Sequence, residues 1–255
     1  MCYDLDARPP YPPVSGGAAD GEDIVLTAQD GNRFAAYIAY SVQADGPQVV
    51  IFPDVRGLHP FYQELALRFA EVGVRALAID YFGRTAGVAP RDDKFDYAPH
   101  VAQMTIPAFL NDAAAAFAYL RNQSKTPRAT FIVGFCRGGT LALHAGAEKF
   151  DLAGIVTFYA GLSRPMPGSK GSTLEQAGKM RYPVLGLFGG ADASIPASDR
   201  EQLEQQLSRA GVQHEIVAYP GAPHSFFDRR YAEYADASAD AWKRVLGFVN
   251  ASAQA

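Results

Sequence analysis

The sequence predicts an α/β fold, a mostly parallel sheet of roughly eight strands with helices on both faces. Three observations predict it. Short runs of branched apolar residues alternate with longer segments of helical period. The runs are almost continuously apolar, as strands buried on both faces are. The links between them are short, so successive elements pack beside one another.

The elements follow in order. Residues 1–21, opening on "MCYDLDARPPYPP", lack periodicity and read as an irregular N-terminal arm, ahead of one domain over 22–255. "DIVLTA" (23–28) and "RFAAYIAYS" (33–41) read as a hairpin turned by Asp30-Gly31. "QVVIF" (48–52), "VRALAI" (74–79), "ATFIVGF" (129–135), "LAGIVTFY" (152–159), "YPVLGLF" (182–188) and "HEIVAY" (214–219) are the buried strands. Helices are expected near 61–72, 105–123, 138–149, 197–210 and 231–250. In the first of these, Phe61, Leu65, Leu67, Phe69 and Val72 fall mainly on one side and Gly73 ends it. The stretches 81–100 and 160–181 hold much of the loop glycine and proline. They are too long for simple connectors and are expected to be lids or walls of a binding site.

Composition excludes several function classes. A 48% apolar chain of 255 residues can bury a sizeable core, while a net charge of −4 without a basic run argues against nucleic acid or anionic lipid as a partner. No stretch approaches a membrane span, and the N-terminus lacks the apolar segment of a signal peptide. Two cysteines, Cys2 and Cys136, make neither a metal pattern nor a disulfide framework. The expectation is a cytoplasmic protein, monomeric by default, with no metal and no cofactor.

Cys136 stands in "IVGFCRGGTLALHAG", where a strand ends at Phe135 and a helix begins about Arg137. A nucleophile on such a turn takes a strained backbone conformation, and Gly134 and Gly138 remove the side chains that would obstruct it. The helix N-terminus directs N–H groups and partial positive charge at the sulfur, favouring thiolate. An isolated cysteine at a strand end is more often an inert core thiol, so its partners must decide. A dinucleotide cradle is disfavoured because Cys136 occupies the place of the second glycine in Gly-x-Gly-x-x-Gly.

Those partners come from loops after later strands. "GGADASIP" follows the strand at 182–188 and offers Asp192; "PGAPHSFFD" follows 214–219 and offers His224. Each taken singly has a bland explanation, Asp192 as a helix cap and His224 as a surface-loop histidine. His59, His100, His144 and His214 have no comparable setting. The order nucleophile, acid, histidine is that of the α/β-hydrolase fold.

With these residues placed, the chain from about 22 to 250 resembles the dienelactone hydrolase family, the carboxymethylenebutenolidases and their relatives. "GFCRGG", "GGADASIP" and "YPGAPHSFFD" carry the resemblance, supported by "VVIFPDVRGL" and "DYFGR". It implies Cys136, Asp192 and His224 as triad, and the backbone N–H groups of Val55 and Arg137 as oxyanion hole. It further implies an acid beside the thiol at Asp54, one methylene shorter than the family's glutamate. Arg84 falls at an arginine that receives a substrate carboxylate; a second such arginine is replaced by Asp228, with Arg229 and Arg230 next to it. The reaction implied is hydrolysis of a small ester or lactone through a thioester. The alternative class is a redox-sensing thiol, with Cys2 as the sole resolving cysteine, or a binding module on the same fold.

Overall fold

The computed structural model describes residues 19–43, 46–92, 94–228 and 230–251. In chain order the strands are β1 (Ala19–Thr27), β2 (Arg33–Ser41), β3 (Gln48–Phe52), β4 (Arg75–Ile79), β5 (Thr130–Phe135), β6 (Gly154–Phe158), β7 (Val184–Gly189) and β8 (His214–Tyr219). The helices are α1 (Pro60–Glu71), α2 (Gly83–Ala86), α3 (Ala98–Gln103), α4 (Ile106–Asn122), α5 (Arg137–Gly146), α6 (Thr173–Ala177), α7 (Ala197–Ala210) and α8 (Ala235–Ala251).

All eight strands form one sheet in the order β1-β2-β4-β3-β5-β6-β7-β8. The pairings of β1 with β2 and of β2 with β4 are antiparallel, and every pairing from β4 to β8 is parallel. The hairpin turn is where Asp30-Gly31 predicts it, with Gly31 at φ +85°. The arm expected over 1–21 ends sooner, because β1 begins at Ala19, which pairs with Ser41. The rest of that arm, with Cys2, lies outside the described residues.

Among the apolar runs β8 is a correction: it is the last strand of the sheet, and of its residues only Tyr219 is buried. Four of the runs, β3, β5, β6 and β7, become strands buried from end to end. Such strands need cover on both sides. On one face α1 and α8 meet through Phe69 and Trp242, ring centroids 4.8 Å apart, and Phe248 of α8 reaches Phe131 of β5. On the other, α4, α5, α6 and α7 touch in succession. Phe109 of α4 stands edge-on to Phe52 at 4.9 Å. No helix among the described residues is long and apolar enough to cross a membrane.

Each stretch expected to be irregular contains short helices, α2 and the start of α3 in 81–100 and α6 in 160–181. For α6 the local signal was present: Ser172 and Glu175 form a reciprocal capping box. One turn and a half of helix is too short for apolar periodicity to register.

His144, inside α5, faces α6 and lies 3.4 Å from the Thr173 hydroxyl. It is 3% exposed, and burial lowers its pKa to about 4. The fold therefore favours the neutral ring, and the unfolded chain takes the proton first. Stability held above the unfolded pKa, near 6.5, is lost as pH falls toward about 4, amounting to about 3 kcal/mol. Urea unfolding at a series of pH values should show this acid loss in the wild type and much less of it in His144→Gln.

Candidate active site

The parallel strands end on one edge of the sheet, and the loops leaving that edge carry the site. Cys136 separates β5 from α5 and adopts φ +52°, ψ −111°, outside the range that non-glycine residues normally populate. The bend is held by backbone bonds: its N–H donates to the Phe158 carbonyl at 3.0 Å, and its carbonyl accepts from the Thr140 N–H at 3.1 Å. A Cβ on Gly134 would lie 2.2 Å from the Gly138 oxygen. One on Gly138 would lie 2.0 Å from the Phe52 oxygen and 2.3 Å from that of Pro53. The glycines thus let the start of α5 press directly onto the end of β3. Cys136 is half-buried and is not in a disulfide.

Asp192 and His224 come from the loops after β7 and β8, which also lie backbone to backbone. A Cβ on Gly189 would meet the carbonyl oxygens of Pro223 and Ala222 at 2.4 and 2.5 Å. Gly190 and Ala191 donate their N–H groups to Tyr219 and Ala222 across the gap. In this frame His224 Nδ1 is 2.6 Å from Asp192 Oδ2. The other carboxylate oxygen, Oδ1, accepts from the N–H of Ser194 at 2.9 Å and from its hydroxyl at 2.6 Å. Burial pushes the Asp192 pKa up, but the hydrogen bonds from His224 and Ser194 outweigh it and hold the pKa below the ordinary value. An ionised Asp192 directs the Nδ1 proton toward itself and leaves Nε2 as the ring's working nitrogen.

Cys136 and His224 line the same cleft, of about 740 Å³. Val55 and Arg137 line it as well, and the Arg137 amide, first in its helix, has no intrahelical acceptor. The wall opposite is Gly161–Pro167, from the stretch expected to form it. From the other expected stretch, 81–100, no residue reaches this cleft; Val101 and Ala102, just beyond it in α3, do. Thr140 ties α5 to the wall through a 3.0 Å bond from its hydroxyl to the Gly161 carbonyl.

Three further expectations concern charged residues. Asp54 is fully buried, with Oδ1 accepting the Arg56 N–H at 3.0 Å and Oδ2 3.5 Å from Arg56 Nε. Its charge and that of Cys136 both bear on the buried Tyr81 hydroxyl. Burial first, then these two charges, raise that phenol's pKa well above its ordinary value, while Arg137 opposes them. Arg84 is a correction. Its Nε and Nη2 bind Asp112 at 3.0 and 2.8 Å, its Nη1 binds Asp30 at 2.6 Å, and it lines a different, small cavity. Two carboxylates satisfy its fork away from Cys136, so it does not face a substrate there. Arg230 pairs with Glu233 on the surface, and Arg229 lies outside the described residues.

Sequence reasoning missed two residues. Ser194 holds Asp192 from two positions on, a local turn that the spacing Asp-x-Ser allows. Tyr159, just after β6 at φ +38°, packs its ring 4.9 Å from the His224 ring and donates its hydroxyl to the buried Asp228 carboxylate. Its place at a strand's carboxyl end was the available signal. Of the four described non-glycine residues with positive φ, Cys136, Tyr159 and Ser225 belong to or adjoin this site. Strain collects where function needs it.

The chain is similar to known proteins over almost its whole length. The model of the Dienelactone hydrolase family matches residues 34–253. A candidate carboxymethylenebutenolidase of Synechocystis sp. is 31% identical over 223 residues, 84% of this chain and 89% of that one. The carboxymethylenebutenolidase of Pseudomonas putida is 26% identical over 234 residues, 89% of this chain and 95% of that one. The crystal structure of a candidate dienelactone hydrolase from Klebsiella pneumoniae superposes with a TM-score of 0.80 at 27% identity, covering 91% of this chain and 98% of that one.

Proposed function

Because this chain belongs to the dienelactone hydrolase family, we propose that it hydrolyses small esters or lactones by covalent catalysis through Cys136, His224 and Asp192. One observation carries the reading. The imidazole that shares the cleft with a cysteine on a strained elbow is held at Nδ1 by a carboxylate 2.6 Å away.

The Cys136 thiol passes its proton to His224 Nε2, and the thiolate, favoured by the N-terminus of α5, adds to the substrate carbonyl carbon. The electron pair of the C=O bond moves onto oxygen, and the N–H groups of Val55 and Arg137 receive the oxyanion. A donor of this kind is worth about 3 kcal/mol of barrier. The tetrahedral adduct collapses, the C–O bond breaks, and the departing alkoxide takes a proton from His224. A thioester on Cys136 remains. Water then attacks it, losing a proton to His224 Nε2, and collapse releases the acid and the thiolate. Tyr159 backs the imidazole, and Ser194 keeps Asp192 aimed at it. Asp54, buried and bonded to the Arg56 N–H, is the candidate for an acid that gates the resting thiol.

Acid-quenching a reaction with p-nitrophenyl acetate and mapping the peptides by mass tests this. An acetyl group on Cys136 is expected, forming before the steady state. Turnover without any acylated cysteine would sink the thioester route. The absence of turnover on every ester and lactone tried would sink the hydrolytic reading itself.

A further inference from the structure

The cleft's cations have no acids to face. Among its lining residues are two arginines, Arg137 and Arg164, and no aspartate or glutamate. Arg137, beside the nucleophile, extends its side chain to the wall, where Nη1 donates to the thioether of Met166. Thioether sulfur is a weak acceptor, and a guanidinium carries five donors. Among the described residues neither Arg137 nor Arg164 has a carboxylate partner, although the chain as a whole carries a net charge of −4. Arg84 shows the contrast, with an aspartate on each side.

The position of Arg137 is also costly for the helix. It is the first residue of α5, where the macrodipole disfavours a cation, and no acidic residue in that turn offsets it. The remaining surface is largely apolar, with Val55, Val101, Leu162, Met166 and Ile195. Arg137, half-buried beside apolar side chains and without a counter-ion, matches an oxyanion brought by the ligand, and Arg164 stands exposed at the rim of the same cleft.

We infer that the side chains of Arg137 and Arg164 form the anion subsite of this cleft, taking the carboxylate of an otherwise apolar ester or lactone, in place of Arg84. The assignment rests on the hydrolytic reading for its substrate, but not for the subsite itself. Arg137 then serves twice, its amide at the reacting carbonyl and its guanidinium at the substrate's charged end. The carboxylate would lie on the Met166 side of the cleft, where the Arg137 guanidinium is held.

Two ratios test it. The first is kcat/KM for mono-p-nitrophenyl succinate, which bears a carboxylate, over that for p-nitrophenyl acetate, which does not. Arg137→Met should lower this ratio by at least about tenfold, chiefly through KM, and Arg164→Met by a smaller factor. Arg84→Met should leave it as in the wild type. The second ratio needs no hydrolysis: the rate of Cys136 alkylation by iodoacetate over that by iodoacetamide. Thiolate fraction cancels in it, so its fall in Arg137→Met, and its decline with added salt, report the cation alone. Ratios unchanged in Arg137→Met, or a charge-selective loss in Arg84→Met instead, would overturn the assignment. A wild type that hydrolyses nothing but retains the alkylation preference would remove the hydrolytic reading and leave the subsite standing.

Discussion

Replacing Cys136 with alanine should lower kcat/KM on p-nitrophenyl acetate by about 10⁴-fold or more, while the thermal midpoint moves by only about 2 °C. The two halves of this expectation have different origins. On the proposed route activity falls because the sulfur is the atom that bonds to the carbonyl, and no other cysteine lines the cleft. Stability holds because alanine keeps the same Cβ at the same positive φ, and the bend is fixed by backbone bonds to Phe158 and Thr140. Cys136→Ser should keep part of the activity, since a histidine aligned by a carboxylate can deprotonate a hydroxyl. Steady-state kinetics alongside a melting curve checks all of this. An alanine variant that still turns over at the wild-type rate would mean another residue attacks.

Asp192→Asn should reduce kcat by about 10³- to 10⁴-fold with little change in packing. The carboxylate has one oxygen on the N–H and hydroxyl of Ser194 and the other on His224 Nδ1. An asparagine amide placed there must keep its oxygen toward the Ser194 N–H, which leaves the NH₂ facing the imidazole. The ring then accepts at Nδ1 and carries its proton on Nε2, toward the thiol, where it can no longer act as a base. The size and shape of the side chain are conserved, so a loss of this magnitude reports the tautomer rather than a collapsed loop. A loss of less than about tenfold would mean that Asp192 only orients the ring.

Much of this was legible in the residues because the signals there are local. Apolar runs such as "QVVIF" and "HEIVAY" mark strands, and their ends were read to within about two residues, but burial on both faces held for the first and not for the second, which lies at the sheet edge. The residues of the proposed triad were legible because each follows a strand and sits among glycines and prolines. The reason for those glycines was legible only in part. That Gly134 and Gly138 clear the elbow follows from the motif, whereas the contact of Gly138 with Phe52 and Pro53 is a long-range fact. Arg84 failed for the same reason in reverse. Its place in "DYFGR" says nothing of Asp30 or Asp112, which the hairpin turn and α4 bring to it from far along the chain. Arg137 and Arg164 were passed over as sites for their side chains because an arginine's use depends on whether an acid lies within reach, and only the fold decides that.

The contact between Gly138 and the end of β3 has a bearing on how such an enzyme could change over generations. Where the helix after Cys136 meets the end of β3 and Pro53, main chain rests on main chain, so mutation finds no side chain to exchange without parting the two. The chemistry is thereby insulated from drift. Novelty in what is accepted has to be acquired at the opposite bank, residues 161–167, where side chains vary without disturbing the elbow.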